Sequence, residues 1–188
     1  MSSRIVKPPA ETVRLSPTSY LVLGLIGLRG PSTPYDLKRA VGRSVSYFWP
    51  FPHSQLYGES ERLAAIGLLS RKDENGGRHR KVYALTKEGR RVLQDWLRSP
   101  PDEIFEMRDM AVLQLFFSEF MSEIDLVALA NNQGRLYRER LATYQSIADA
   151  AGEKRIKRRR MASVHLGIRM MKACIDFWDE VAKSPPGP

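Results

Sequence analysis

One cysteine, three histidines and no apolar run longer than nine residues are what this 188-residue chain has least of, and each shortage closes a class of function. A single thiol, Cys174, forms no internal disulfide, so the fold must rest on its core. The longest apolar run, Tyr20 to Leu28, is less than half of the roughly 20 residues that a membrane-spanning helix needs. The first residues hold Arg4, Lys7, Pro8 and Pro9 and lack the apolar stretch and cleavage site of a secretory signal. With the lone thiol, this points to the reducing cytoplasm, with no membrane partner. The histidines and the cysteine show no metal-ligand spacing, and there is no glycine-rich phosphate loop, so no cofactor or metal is expected. His165 and Cys174 lie nine residues apart. On a helix that is roughly 180° of rotation, which rules out a nucleophile pair between them. No catalytic residues are identified, and no enzyme is expected.

What the chain does have is ordinary globular composition, 43% apolar and 27% charged, with 30 Lys plus Arg against 21 Asp plus Glu. The resulting charge of +9 is unevenly placed. Residues 16–98 hold 14 basic and seven acidic side chains, whereas residues 99–188 hold 13 of each. One part is thus suited to a polyanion and the other to a different task, such as pairing with its own copy. The break falls near Ser99-Pro100-Pro101, where two prolines stop a helix. The expected organisation is a flexible arm over 1–15, a first domain over 16–98, a helical domain over 102–183 and a disordered tail over 184–188.

Local signals predict a mainly α fold. Ser16-Pro17 caps a first helix that is apolar on nearly all sides, and Thr33-Pro34 repeats the device for a short second helix. An aromatic connector follows, with Trp49 and Phe51 expected in the core. A third helix then runs from about His53 or Ser54 to Gly67. The segments Leu68 to Lys72 and Lys81 to Leu85 alternate like strands around Asn75-Gly76-Gly77, a hairpin turn with a basic tip. Thr86 caps a fourth helix. Three helices and a basic hairpin describe a winged helix-turn-helix. Beyond the break, Met107 to Met121 reads as one Phe-rich helix and Ile124 to Ala151 as a long one. In the last helix Met161, Val164, Ile168, Met171, Ile175, Trp178 and Ala182 follow one another at alternating steps of three and four, a heptad seam that must meet another helix.

Four stretches, in order, carry a family resemblance: Tyr20 to Leu28; Tyr35-Asp-Leu-Lys38; Ser54-Gln-Leu-Tyr57 with Leu63 and Gly67-Leu68; and Lys81-Val-Tyr-Ala-Leu-Thr86 with Gly89. Over residues 16–98 the chain resembles the PadR-like transcriptional regulators, in which the winged helix is followed by a helical dimerisation domain. Pro34 stands where the family often has glycine. The resemblance implies a DNA-binding homodimer, often a repressor released by a small molecule.

In a helix-turn-helix the start of the third helix enters the major groove. The residues opposite Leu56 and Leu63 are therefore the candidate DNA contacts: Ser54, Gln55, Gly58 and Arg62, with His53 and Tyr57 at the margin. Gln55 can exchange two hydrogen bonds with adenine, and Gly58 allows close backbone approach. Arg78, His79, Arg80 and Lys81 on the wing, and Lys38 and Arg39 on the second helix, suit phosphate contacts. The dimer interface is expected along Met161, Val164, Ile168, Met171, Ile175 and Trp178, together with Phe116 and Phe117. Trp96, Met107, Met110 and Trp178 are the candidate pocket for a small aromatic effector. Cations between Lys154 and Arg160 oppose the dipole of the helix they start, and a solvated face is the leading reading for them. The expected function is that of a homodimeric repressor on a palindromic duplex operator. The alternative, a winged helix adaptor that binds protein, has no need of clustered cations.

Overall fold

Two compact units, Met1–Glu103 and Ile104–Pro188, divide the chain. A computed structural model describes residues 14–42, 45–49, 52–74, 80–102, 104–151 and 158–185.

In the first unit the cap at Ser16 is reciprocal. Its hydroxyl accepts the Ser19 N–H, and the Ser19 hydroxyl accepts the Ser16 N–H, at 3.3 and 2.8 Å. With Pro17 preset at the first position, this starts α1 (Pro17–Arg29), which ends at Gly30 with φ 87°. Val22, Leu23, Leu25 and Ile26 are all buried, so α1 is the centre of the unit. Thr33 and Asp36 cap α2 (Pro34–Gly42) in the same reciprocal way, and the Thr33 hydrogen bonds hold the Asp36 carboxyl below the usual carboxylate range. A 3-10 turn, Val45–Tyr47, precedes α3 (Gln55–Ala65), whose Leu56, Ser60 and Leu63 face inward. Val45 packs on the core, whereas Phe48 and Trp49 are exposed, contrary to the expectation that places Trp49 in the core. Phe51 lies outside the described residues.

Gly67, at φ 78°, turns the chain into β1 (Leu69–Glu74), which pairs antiparallel with β2 (Arg80–Leu85) from Leu69↔Leu85 to Glu74↔Arg80. Tyr83, on β2, is fully buried, and its backbone exchanges two 2.9 Å hydrogen bonds with Ser32. The wing is thereby tied to the entrance of α2. Thr86 opens α4 (Lys87–Arg98): its hydroxyl donates toward the carbonyls of Gly67 and Leu68 and accepts the Gly89 N–H.

The second unit is all helical. The Phe-rich segment forms a shorter helix than its composition suggests, α5 (Met110–Phe116), followed by a 3-10 turn Ser118–Phe120. Asp109 fixes the start, because its Oδ1 accepts the N–H groups of Ala111 and Val112. Helices α6 (Glu123–Ala151) and α7 (Arg158–Lys183) lie along each other. Gly167 of α7 sits against the Tyr144 ring, and Arg138 pairs with Asp179 at 2.5 Å. Trp178, 1% exposed, is packed with Ala111, Leu126, Ala130 and Val181. The heptad seam is thus not wholly an intersubunit surface. Trp178 is spent within its own unit because α6 offers the small Ala130 opposite it, while Met161, Val164, Ile168, Met171 and Ile175 are half-buried.

Candidate nucleic-acid interface

The inward face of α3 is fixed from below. Leu56 and Leu63 are fully buried, and the Ser60 hydroxyl, also buried, donates to the Leu56 carbonyl at 2.7 Å. That leaves Ser54, Gln55, Tyr57 and Gly58 exposed on the other side, with His53 half-buried at the start. A Cβ at Gly58 would meet open space, so packing within the unit does not require glycine there.

Two candidate cations are not free. Arg62 turns toward α1: its guanidinium donates to both oxygens of Glu59, at 2.9 and 2.7 Å, and to the Ser19 hydroxyl at 3.0 Å. The Arg62 hydrogen bond holds Glu59 below the usual range despite burial. Position 62 therefore anchors α3 to α1, a correction to its place among the DNA contacts. The reason is its location on the flank of α3 beside Ser19, where a carboxylate one turn earlier captures it. Lys81 on β2 is paired with Glu61 on α3, so its charge is already balanced. The sequence reading passed over Glu61, although its spacing from Ser54 and Gly58, seven and three residues, places it on the same face.

Arg80 at the turn end of β2, Lys72 on β1, and Lys38 and Arg39 on α2 are exposed and make no ion pair among the described residues. Arg71 is held by Asp73 through two hydrogen bonds, at 2.8 and 2.7 Å. Arg78 and His79 lie outside the described residues, as do Lys154, Arg155 and Lys157. Lys38, Arg39, Lys72 and Arg80 thus remain exposed cations of the first unit that make no ion pair among the described residues.

Of the effector candidates, Trp96 is 45% exposed and its ring stacks on Tyr20, with centroids 4.5 Å apart and planes 9° apart. Met107 and Met110 are exposed. Trp178 is inaccessible in its core and leaves the set. In the second unit an apolar surface stands open: Phe116 and Phe117 pack edge to face at 5.1 Å and are 78% and 54% exposed, and Leu113, Phe120 and Ile124 are exposed with them. Burial, and then the Asp109 carboxylate that accepts its hydroxyl at 2.5 Å, push the Tyr137 phenol above its usual range. Burial also raises the Cys174 thiol beside it. Among the described residues no helix is long and apolar enough to cross a membrane, and no group of three His, Cys, Asp or Glu side chains is placed to hold a metal ion.

Residues 22–95 match the Transcriptional regulator PadR-like family, and residues 107–184 match the Virulence activator alpha C-term. Over 128 residues, 67% of this chain and 70% of the relative, the chain is 27% identical to the negative transcriptional regulator PadR of Bacillus subtilis (strain 168). Over 173 residues, 81% and 89% of the two chains, it is 27% identical to a probable transcriptional regulator of Mycobacterium tuberculosis (strain ATCC 25618 / H37Rv). The fold matches the crystal structure of Bacillus subtilis PadR in complex with operator DNA with a TM-score of 0.81, at 21% identity, over 88% of this chain and 96% of that one. The same protein in complex with p-coumaric acid matches with a TM-score of 0.75, at 19% identity, over 90% and 97%.

Proposed function

The chain is a PadR-like transcriptional regulator, and from that premise we propose that it is a homodimeric, cytoplasmic repressor that reads a palindromic duplex operator and is released by a small aromatic effector. The observation that carries this reading is the exposed face of α3. Ser54, Gln55, Tyr57 and Gly58 are exposed, and the same unit presents Lys38, Arg39 and Arg80 exposed and without an ion pair among the described residues. Polar side chains free of packing have hydrogen bonds to give to base edges, and the cations displace counterions from phosphate.

The open apolar surface around Phe116 and Phe117 suits a second copy of the chain, because contiguous apolar patches of this kind mark association surfaces. The half-buried seam residues Met161, Val164, Ile168, Met171 and Ile175 join it in the proposed interface. Two-fold pairing sets two reading helices on half-sites about 34 Å apart, or a multiple of that. The exposed Trp96 ring, stacked on Tyr20, is the surface we assign to a flat phenolic effector. Such a molecule releases DNA only by binding the DNA-incompetent state more tightly than the competent one.

Titration of labelled duplex at several salt concentrations tests the reading. Log K should fall by about 0.9 per phosphate contact for each decade of salt. Gln55→Ala should relax one base position in each half-site at a cost of about 1–3 kcal/mol. Arg80→Ala should weaken all sequences alike and flatten the salt slope by about 1. Absence of selective binding at low salt overturns the proposal.

A further inference from the structure

The Gln55 amide on the exposed face of α3 is already engaged within the unit. The hydroxyl of Thr18, in the first turn of α1, donates to Gln55 Oε1 at 3.2 Å, across 37 positions of sequence. Among the described residues, the Nε2 end of that amide has no partner. We propose that Thr18 is a positioning residue for operator recognition: it turns the Gln55 amide so that the NH2 group faces outward, and Gln55 then reads a hydrogen-bond acceptor on a purine edge. The inference rests on the docking of α3 in the major groove set out above.

Three features fix the place of the Thr18 hydroxyl. Its helix starts at a single place, because the reciprocal bonds of Ser16 and Ser19 and the preset Pro17 set the first turn. The same turn is tied to α3 a second time, through Arg62, Glu59 and the buried Ser19 hydroxyl. The threonine is half-buried and β-branched, which restricts its χ1. The two bridges leave α3 from the same flank, Gln55 and Arg62 being seven residues apart.

The chemistry follows from the two ends of an amide. A free glutamine can turn over, offering either its oxygen or its NH2 group to the groove, and so accommodates donor and acceptor edges alike. A hydroxyl can donate or accept, and in the structure the Thr18 hydroxyl donates to Oε1, the orientation that brings the oxygen inward. One lone pair of Oε1 is then occupied, and the two N–H donors are left for the groove, where guanine offers N7 and O6 and adenine offers N7. At 3.2 Å the contact is long for a hydroxyl donor, so it biases the amide and does not lock it. A severalfold effect is the scale to expect.

Operator selection from random duplex, run in parallel on the full-length parent, Thr18→Val, Thr18→Ser, Gln55→Ala and the Thr18→Val/Gln55→Ala double variant, tests this. Valine keeps the shape and removes the hydroxyl. Thr18→Val should lower purine preference about fivefold at the one position that Gln55→Ala alters, with other positions and the salt slope unchanged. Thr18→Ser should restore it, and Thr18→Val should add nothing in the Gln55→Ala background. If Gln55→Ala alters a position that Thr18→Val leaves as it was, or if Thr18→Val weakens every sequence alike, the positioning role is overturned while the docking of α3 stands. If Gln55→Ala itself alters no position, the docking of α3 is overturned and this inference with it.

Discussion

Gly89→Ala is expected to destabilise the first unit by about 3 kcal/mol, the upper end of what overpacking a well-filled site costs. The sign is the informative part. At an ordinary position inside a helix the same change stabilises by about 1 kcal/mol, because alanine is the better helix former. Here a Cβ would lie 2.1 Å from the carbonyl oxygen of Leu68 and 3.0 Å from Leu85 Cδ1. The obstacle is backbone, and it cannot give way cheaply. The Leu68 carbonyl also receives the Thr86 N–H and hydroxyl, which hold the first turn of α4 on the end of β1. Pushing α4 away would break those bonds and uncover Leu68, Leu69 and Tyr83. Chemical denaturation of parent and variant measures the difference, and Thr86→Ala is a useful companion, expected to cost about 1 kcal/mol through the lost cap. A Gly89→Ala protein as stable as its parent would mean that α4 does not approach Leu68 as described.

The second unit has its own critical side chain. Asp109→Ala is expected to cost about 3 kcal/mol, the sum of a lost N-cap, about 1 kcal/mol, and a lost hydrogen bond to a carboxylate, about 2 kcal/mol. Asp109 performs both tasks with different oxygens: Oδ1 caps α5 and Oδ2 accepts the Tyr137 hydroxyl on α6. Asp109→Asn should cost about half as much, since an amide still caps but no longer carries charge. Tyr137→Phe should fall between parent and Asp109→Ala, because the cap survives. The natural reporter is Trp178, buried in the same core, observed in a background where Trp49 and Trp96 are phenylalanine. If Asp109→Ala shifts the Trp178 transition by less than about 0.5 kcal/mol, the junction of α5 with α6 is held by apolar packing alone.

Much of this architecture is legible in the residues. Ser16-Pro17, Thr33 and Thr86 announce three helix starts, and the structure gives each a side-chain hydrogen bond to match. The alternation around Tyr83 predicts the wing, and Tyr83 is its buried member. What could not be read is what depends on contacts between distant segments. Arg62 looks like a basic residue on an exposed face until the fold brings Ser19 beside it. Lys81 looks free until Glu61 is placed opposite. Trp178 fits a heptad seam equally well whether the helix it meets belongs to its own chain or to another, since a repeat specifies a groove and not its owner. The Phe-rich segment shows the limit of composition: Phe116, Phe117 and Phe120 promise a long helix, while Asp109 and the 3-10 turn cut it short.

The way α3 is held has a consequence for retargeting. Leu56 and Leu63 from beneath, and Arg62 with Glu59 from the side, hold the helix to the unit, together with the Glu61–Lys81 pair and the Thr18–Gln55 hydrogen bond. Ser54 and Gly58 are exposed, Tyr57 is about half exposed, none of the three makes a side-chain hydrogen bond or ion pair among the described residues, and Gly58 has open space where a side chain would go. Folding and reading therefore draw on separate alphabets within a single eleven-residue helix and its cap. A combinatorial library randomised at those three positions would keep its scaffold, so drift in the genome's binding sites can be followed by substitutions that leave the fold untouched. Gln55 is the exception, because its amide is bonded to a threonine on another helix, and a substitution there also removes a contact between α1 and α3.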